Sequence, residues 1–181
     1  MLDIALIEPG LTPVARPEVD ACGVVRSVAE LLRPLAADRT IDLETDCPAG
    51  PVTLLTDEDK LAQIVRNLVS NAIKFSEEGG WVRVVTRGDE RTVSIAVAES
   101  GVGISEEDLP HVFDAFRQPR NGAVGPWGGA GLGLAICRDL TGLLGGEITA
   151  DSQPGMGSIF TVTLPRATDA AQREAPPSIR H

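Results

Sequence analysis

One helix constrains this chain more than any other segment. In "LAQIVRNLVSNAIK" the apolar residues Leu61, Ile64, Val65, Leu68, Ala72 and Ile73 recur at helical spacing, so one face is built for burial. Gln63, Asn67, Asn71 and Lys74 fall at i, i+4, i+8 and i+11 and stack into a second stripe. The preceding "DEDK" places acids in the first turn, where the helix dipole favours them. A plain solvent face favours Glu, Lys and Arg, and asparagine is a mediocre helix former. Two asparagines one turn apart therefore read either as an ordinary wet face or as a row that faces a ligand.

The remaining pattern supplies a sheet for this helix to lie on. "TIDLET" alternates like a strand and "PVTLLT" is a second candidate; Gly88-Asp89 makes a tight connection between "WVRVVTR" and "TVSIAVAES"; "EITADS" and "SIFTVTLP" close as a hairpin. Two more helices are expected. One is "DACGVVRSVAELLRPLAA" with Asp20 as N-cap, and the other runs from Leu132 to about Leu144 and stops at Gly145-Gly146. A short helix is expected around Glu106–Phe116, and Gln118–Gly129, rich in Gly and Pro, reads as a mobile surface loop. Residues 1–10 read as the end of a helix stopped by Pro9-Gly10, and the tail after Pro165 lacks aromatics and periodicity and reads as disordered. The expected architecture is an α+β two-layer sandwich, with one mixed, mostly antiparallel five-stranded sheet and about three helices on one face.

Composition excludes several classes. At 181 residues and 43% hydrophobic content the chain suffices for one packed domain with short extensions. A net charge of −10 argues against a nucleic-acid surface, which needs clustered cations. The cysteines Cys22, Cys47 and Cys137 are widely spaced, no CxxC pair exists, and the histidines are only His111 and His181. Neither a disulfide framework nor a Cys/His metal site is expected, and reduced cysteines in a cytoplasmic protein are. Apolar stretches such as "VSIAVA" are too short to span a bilayer, and "MLDIALI" lacks the basic leader of a signal peptide.

A second chemical feature is "GGAGLGLAICRDL", glycines running into a helical pattern, as a phosphate cradle does. It is not a Walker loop, because Leu134 and Ala135 follow Gly133 where Lys and Ser/Thr belong. It is not a dinucleotide fingerprint either, since Ile136 stands where a glycine is needed. The polar stripe gives it a partner. A carboxamide oxygen is a hard, neutral ligand suited to Mg²⁺, which shares phosphate oxygens, and a lysine one turn on offsets phosphate charge.

The ordered blocks "NLVSNAIKFS", "ESGVGI", "VFDAF", "GGAGLGLAI" and "GMGSIFTVTLP" resemble the ATP-binding catalytic domain of two-component sensor histidine kinases. That domain belongs to a superfamily shared with gyrase-type ATPases and anti-sigma-factor serine kinases. The resemblance covers roughly residues 18–165 and implies a Bergerat-type ATP-binding fold, with ATP and Mg²⁺ as cofactors. It implies Asn71 as the Mg²⁺ ligand and Asn67 and Lys74 near the phosphates, all three serving catalysis. Gly101 and Gly103 would let the backbone pass under adenine and ribose, Phe113 and Phe116 would anchor a lid formed by Gln118–Gly129, and Gly131, Leu132 and Gly133 would offer amide donors to the phosphates. Thr161 would help at the adenine, directly or through water.

Upstream, "MLDIALIEPG" resembles the last turns of the dimerisation hairpin in this family, so the implied division is 1–17 hairpin end and linker, 18–166 catalytic domain, and 167–181 tail. Neither histidine occupies an acceptor motif. The implied partners are a separate histidine-bearing dimerisation domain and a response-regulator receiver domain, with a monomeric fragment of a homodimeric parent. No acid lies between Lys60 and Glu77, where hydrolytic relatives place a glutamate base, which favours a kinase over a water-activating ATPase. Three departures stand out: Glu99 replaces the usual aspartate that accepts from the adenine amino group, Ala130 replaces a threonine, and no basic residue directly precedes "WGGAGLGL", although Arg117 and Arg120 are near. They keep a second reading open, a degenerate signalling module that binds nucleotide weakly or not at all and acts through protein contacts.

Overall fold

The structure, a computed structural model, describes residues 16–116 and 131–167. The predicted hairpin end, the Gln118–Gly129 lid and the tail beyond 167 lie outside the described residues.

Strand β1 (Glu18–Asp20) leads directly into α1 (Ala21–Asp38), whose first turn is capped by the Asp20 carboxylate accepting from Cys22 N at 3.1 Å. There follow β2 (Asp42–Asp46), β3 (Thr53–Leu55), α2 (Glu58–Phe75), β4 (Trp81–Gly88), β5 (Thr92–Glu99), a 3₁₀ turn at Leu109–His111, α3 (Gly133–Leu143), β6 (Glu147–Ser152) and β7 (Ser158–Pro165). The Asp57 side chain caps α2 by accepting from Lys60 N at 3.0 Å, and Glu58 and Asp59 sit in the first turn as the sequence predicts.

The main sheet has the order β2-β4-β5-β7-β6, with β2 parallel to β4 and every other pair antiparallel. This is the mixed, mostly antiparallel five-stranded sheet expected. Its inward residues alternate strictly: Val82, Val84 and Thr86 on β4, Val93, Ile95, Val97 and Glu99 on β5, and Ser158, Val162 and Leu164 on β7 are buried. Leu61, Ile64, Val65, Leu68, Val69, Ala72 and Ile73 of α2 close over them. Burying a side chain of this size contributes about 1.5–3 kcal/mol, so this two-layer seam dominates the stability.

Two elements differ from expectation. "PVTLLT" yields only β3, and it leaves the main sheet to pair antiparallel with β1, a strand that no alternation announces. The ribbon is fastened where Ala21 N donates to Val52 O, Thr56 N to Pro17 O and Leu55 N to Arg166 O. The helix expected around Glu106–Phe116 shrinks to one 3₁₀ turn. Pro110 brings no donor, and Ser105 Oγ binds both Asp108 N (3.2 Å) and Asp108 Oδ2 (3.1 Å), a local bonding pattern that competes with helix propagation. No described helix is long and apolar enough to cross a membrane.

Candidate functional site

The amide stripe of α2 does not face open water. Asn67 and Asn71 are half-buried beneath the first turn of α3. Asn67 Nδ2 lies 3.5 Å from Gly133 O, and a Cβ on Gly133 would stand 3.5 Å from Asn71 Nδ2. Gly131 has φ 69°, so the chain enters α3 through a left-handed step that suits glycine. Leu132, the cap of α3, offers no side-chain acceptor, and among the described residues no side chain caps the first N–H groups of that helix. A helix start of this kind favours an anion. Below it, burial pushes the Cys137 thiol up to about 12, opposed by a hydrogen bond with Asn67.

The second wall is the end of β5. Glu99 is buried, and its carboxylate accepts from Gly101 N–H and from the N–H and hydroxyl of Ser158. Burial raises its pKa, and those hydrogen bonds act in the opposite direction. The extra methylene of glutamate is thus taken up by folding the carboxylate back on its own loop. A Cβ on Gly101 would stand 2.2 Å from Phe75 O, and one on Gly103 (φ 72°) 2.1 Å from Gln153 O. The space these glycines leave is filled by the carbonyls of the α2 end and the β6–β7 turn. The two loops and the helix end therefore form one packed corner.

Phe113 is half-buried and meets Phe160 edge-on, with centroids 6.1 Å apart, whereas Phe116 is 74% exposed with φ 62°. The Lys74 ammonium sits over the Phe75 ring, 5.2 Å from its centroid. Thr161 is not brought to the site, which corrects the sequence reading. In β7, Ser158, Val162 and Leu164 are buried toward the helices, so period two turns Thr161 to the other face, paired with Ala96 and Thr149. Ser158, in register with Glu99, takes the inward place.

Sequence reasoning also missed Arg39. Standing just past α1, its guanidinium donates to Ile73 O, to Lys74 O at 2.7 Å and to Ser76 O at 3.0 Å, closing the C-terminus of α2. Nothing in the sequence around Arg39 marks it as the cap of another helix. Ser158 was findable only once the β5–β7 register was known.

Residues 56–168 match the family described as histidine kinase-, DNA gyrase B-, and HSP90-like ATPase. The chain is 38% identical over 166 residues to sensor histidine kinase RcsC of Escherichia coli (strain K12), an overlap covering 91% of this chain and 17% of that protein. It is likewise 38% identical over 165 residues to histidine protein kinase DivJ of Caulobacter vibrioides, covering 91% of this chain and 28% of DivJ. Among solved structures, a nucleotide-free catalytic domain of histidine kinase ThkA aligns at TM-score 0.72 and 25% identity, over 83% of this chain and 97% of that one. Full-length ShkA in complex with AMPPNP aligns at TM-score 0.69 and 32% identity, over 84% of this chain and 31% of that one. The chain thus spans less than a third of either curated relative.

Proposed function

The chain belongs to the histidine kinase-, DNA gyrase B-, and HSP90-like ATPase family, and from that premise we propose that residues 18–166 bind Mg·ATP between α2, the end of β5 and the start of α3 and pass the γ-phosphate to a histidine on a separate dimerisation domain. Residues 1–17 are then the end of that domain's hairpin with its linker, 167–181 a tail, and a receiver-domain aspartate the next acceptor. The observation that carries this reading is the convergence of the Asn67 and Asn71 amides on the uncapped first turn of α3.

These residues fit the nucleotide. Asn71 would hold Mg²⁺ through its amide oxygen, Asn67 and Lys74 would lie against the phosphates, and the backbone N–H groups of Gly131, Leu132 and Gly133 would donate to them. The bound nucleotide supplies the phosphoryl group, and its metal neutralises charge. The chain's own residues orient and shield. An imidazole acceptor needs no base from this domain, and α2 carries no carboxylate between Lys60 and its end at Phe75 that could activate water, which supports transfer over hydrolysis. Glu99 remains the candidate acceptor for the adenine amino group. An ionised carboxylate has about four lone-pair sites, of which Gly101 and Ser158 already occupy most. That engagement favours the second reading, a signalling module with weak or no nucleotide binding. A cytoplasmic location, where ATP is supplied, suits the first.

Calorimetric titration with a non-hydrolysable ATP analogue, with and without Mg²⁺, separates the two. Mg²⁺-dependent binding in the micromolar to sub-millimolar range supports the kinase reading. A folded sample that gives no heat at high ligand concentration supports the module.

A further inference from the structure

The start of α1 is sewn to the segment after β2. Ala21 N donates to Val52 O at 2.9 Å, and the Asp20 carboxylate accepts from both Cys22 N and Val52 N at 3.1 Å. In this seam the Cys22 side chain is hydrogen-bonded with that of Cys47, the residue following β2. The two thiols differ in access. Cys22 is 1% exposed, whereas Cys47 is half-buried and lines a surface groove with Arg33 and the length of β2. The Arg87 guanidinium is held nearby by Asp46 Oδ2 at 2.6 Å. Cys137 is elsewhere, with its Sγ 3.7 Å from Ile64 O between α2 and α3.

We propose that Cys22 and Cys47 form a dithiol site that closes to a disulfide, with Cys47 as the entry thiol and a small-molecule disulfide such as oxidised glutathione as the oxidant. The Cys47 thiol releases its proton to solvent, and the thiolate attacks one sulfur of the oxidant. The oxidant's S–S bond breaks, and one small thiolate leaves and takes up a proton. Cys22 then releases its proton, and its sulfur attacks that of Cys47 and expels the second small thiolate, which is protonated in turn. Two protein thiols are oxidised by two electrons, and one small disulfide is reduced to two thiols. Burial pushes the Cys22 thiol up to about 12, which leaves it protonated and unreactive toward solutes and makes it the resolving partner. Side-chain contact supplies the proximity that its low thiolate fraction requires. The new bond ties the first turn of α1 to the end of β2, and it stands independently of the nucleotide reading.

The test is peptide mapping by mass spectrometry of the native wild-type chain after incubation with oxidised glutathione and acid quench. The expected product is a Cys22–Cys47 cross-linked peptide, with Cys137 alkylated only after unfolding. Cys22→Ala should stop at glutathionylated Cys47, and Cys47→Ser should leave Cys22 unmodified. The proposal is overturned by wild-type protein that stops at glutathionylated Cys47, that keeps all its thiols free, or that cross-links Cys22 and Cys47 only in denaturant. The wild-type map does not depend on either variant folding.

Discussion

Helices α1 and α2 are each 18 residues long, each begins at an aspartate whose side chain caps the first turn, and both cover the same sheet. They part company on the face turned away from the core. On α1 that face is Arg26, Ser27, Glu30 and Leu31, all exposed, with the Glu30–Arg33 ion pair at 2.7 Å. On α2 it is the half-buried row Gln63, Asn67 and Asn71, roofed at the asparagines by the start of α3. Partly removing amides from water is unfavourable unless they find partners, and apolar residues would pack the α2–α3 seam more cheaply. Their ends differ too. α1 finishes on its own backbone, whereas α2 is closed by Arg39, donated from the end of α1. One helix is a buttress, and the other carries the chemistry while leaning on it.

The largest effect should come from breaking the amide row. Asn71→Ala should remove Mg²⁺-dependent nucleotide affinity by about tenfold or more with the fold intact, while Glu30→Ala on α1 leaves affinity unchanged. Calorimetry on the pair checks this, and unchanged affinity in the Asn71 variant takes that residue out of the metal role. Next comes the strut between the helices. Arg39→Met leaves the carbonyls of Ile73, Lys74 and Ser76 without their donor and should cost about 2–4 kcal/mol in urea unfolding, whereas an exposed pair such as Glu30–Arg33 is worth under about 1 kcal/mol. Equal losses for Arg39→Met and Glu30→Ala would mean that α2 needs no support from α1.

How much of this was readable in advance follows from the range of each interaction. The stripe at 63, 67, 71 and 74, the Asp20 cap, the acids opening α2 and the alternating strands are local, with periods of 3.6 and 2 that survive in any context. β1 was not readable, because three residues hold too little alternation and its partner lies beyond α1 and β2. Thr161 was misplaced for a related reason. The block around it was aligned by resemblance, but the face of β7 is fixed by its register with β5, where Ser158 meets Glu99. Arg39 and the fold-back of Glu99 depend on atoms brought together from distant segments, and no window of sequence contains them.

Glu99 offers a smaller, two-sided prediction. Glu99→Asp shortens the arm that reaches Gly101 N–H, so a freed carboxylate oxygen should tighten ATP-analogue binding by up to about tenfold; a looser complex shows that the site is adapted to glutamate. Stability carries its own sign. The folded pKa of Glu99 lies above its ordinary value of 4.5, so the folded state holds this proton more tightly than the unfolded chain. Glu99 therefore destabilises the fold progressively as pH rises from about 4.5 through the raised folded value, and the fold regains that stability on acidification. Urea unfolding across this range should show a negative slope in the wild type that flattens in Glu99→Gln.

The smallest effect tests the two helix ends against each other. After α1, Thr40 adopts φ 56° while Thr40 N donates to Ala37 O and Ile41 N to Ala36 O, a closing turn that glycine usually occupies. A β-branched residue in that conformation is strained by about 1–2 kcal/mol, and glycine gives back about 0.4–1 kcal/mol of that through a freer unfolded chain. Thr40→Gly should therefore stabilise by about 0.5 kcal/mol. The C-cap of α2 is Ser76, whose φ of −64° needs no glycine and whose hydroxyl donates to Ala72 O at 2.7 Å. Ser76→Gly should destabilise by about 1 kcal/mol, because a hydrogen bond is lost and chain entropy is gained with no strain to relieve. Urea midpoints that move in opposite directions at constant m-value support the assignment. A destabilised Thr40→Gly variant would show that Thr40 packs well enough to outweigh its backbone strain, and that α1 does not close by backbone alone.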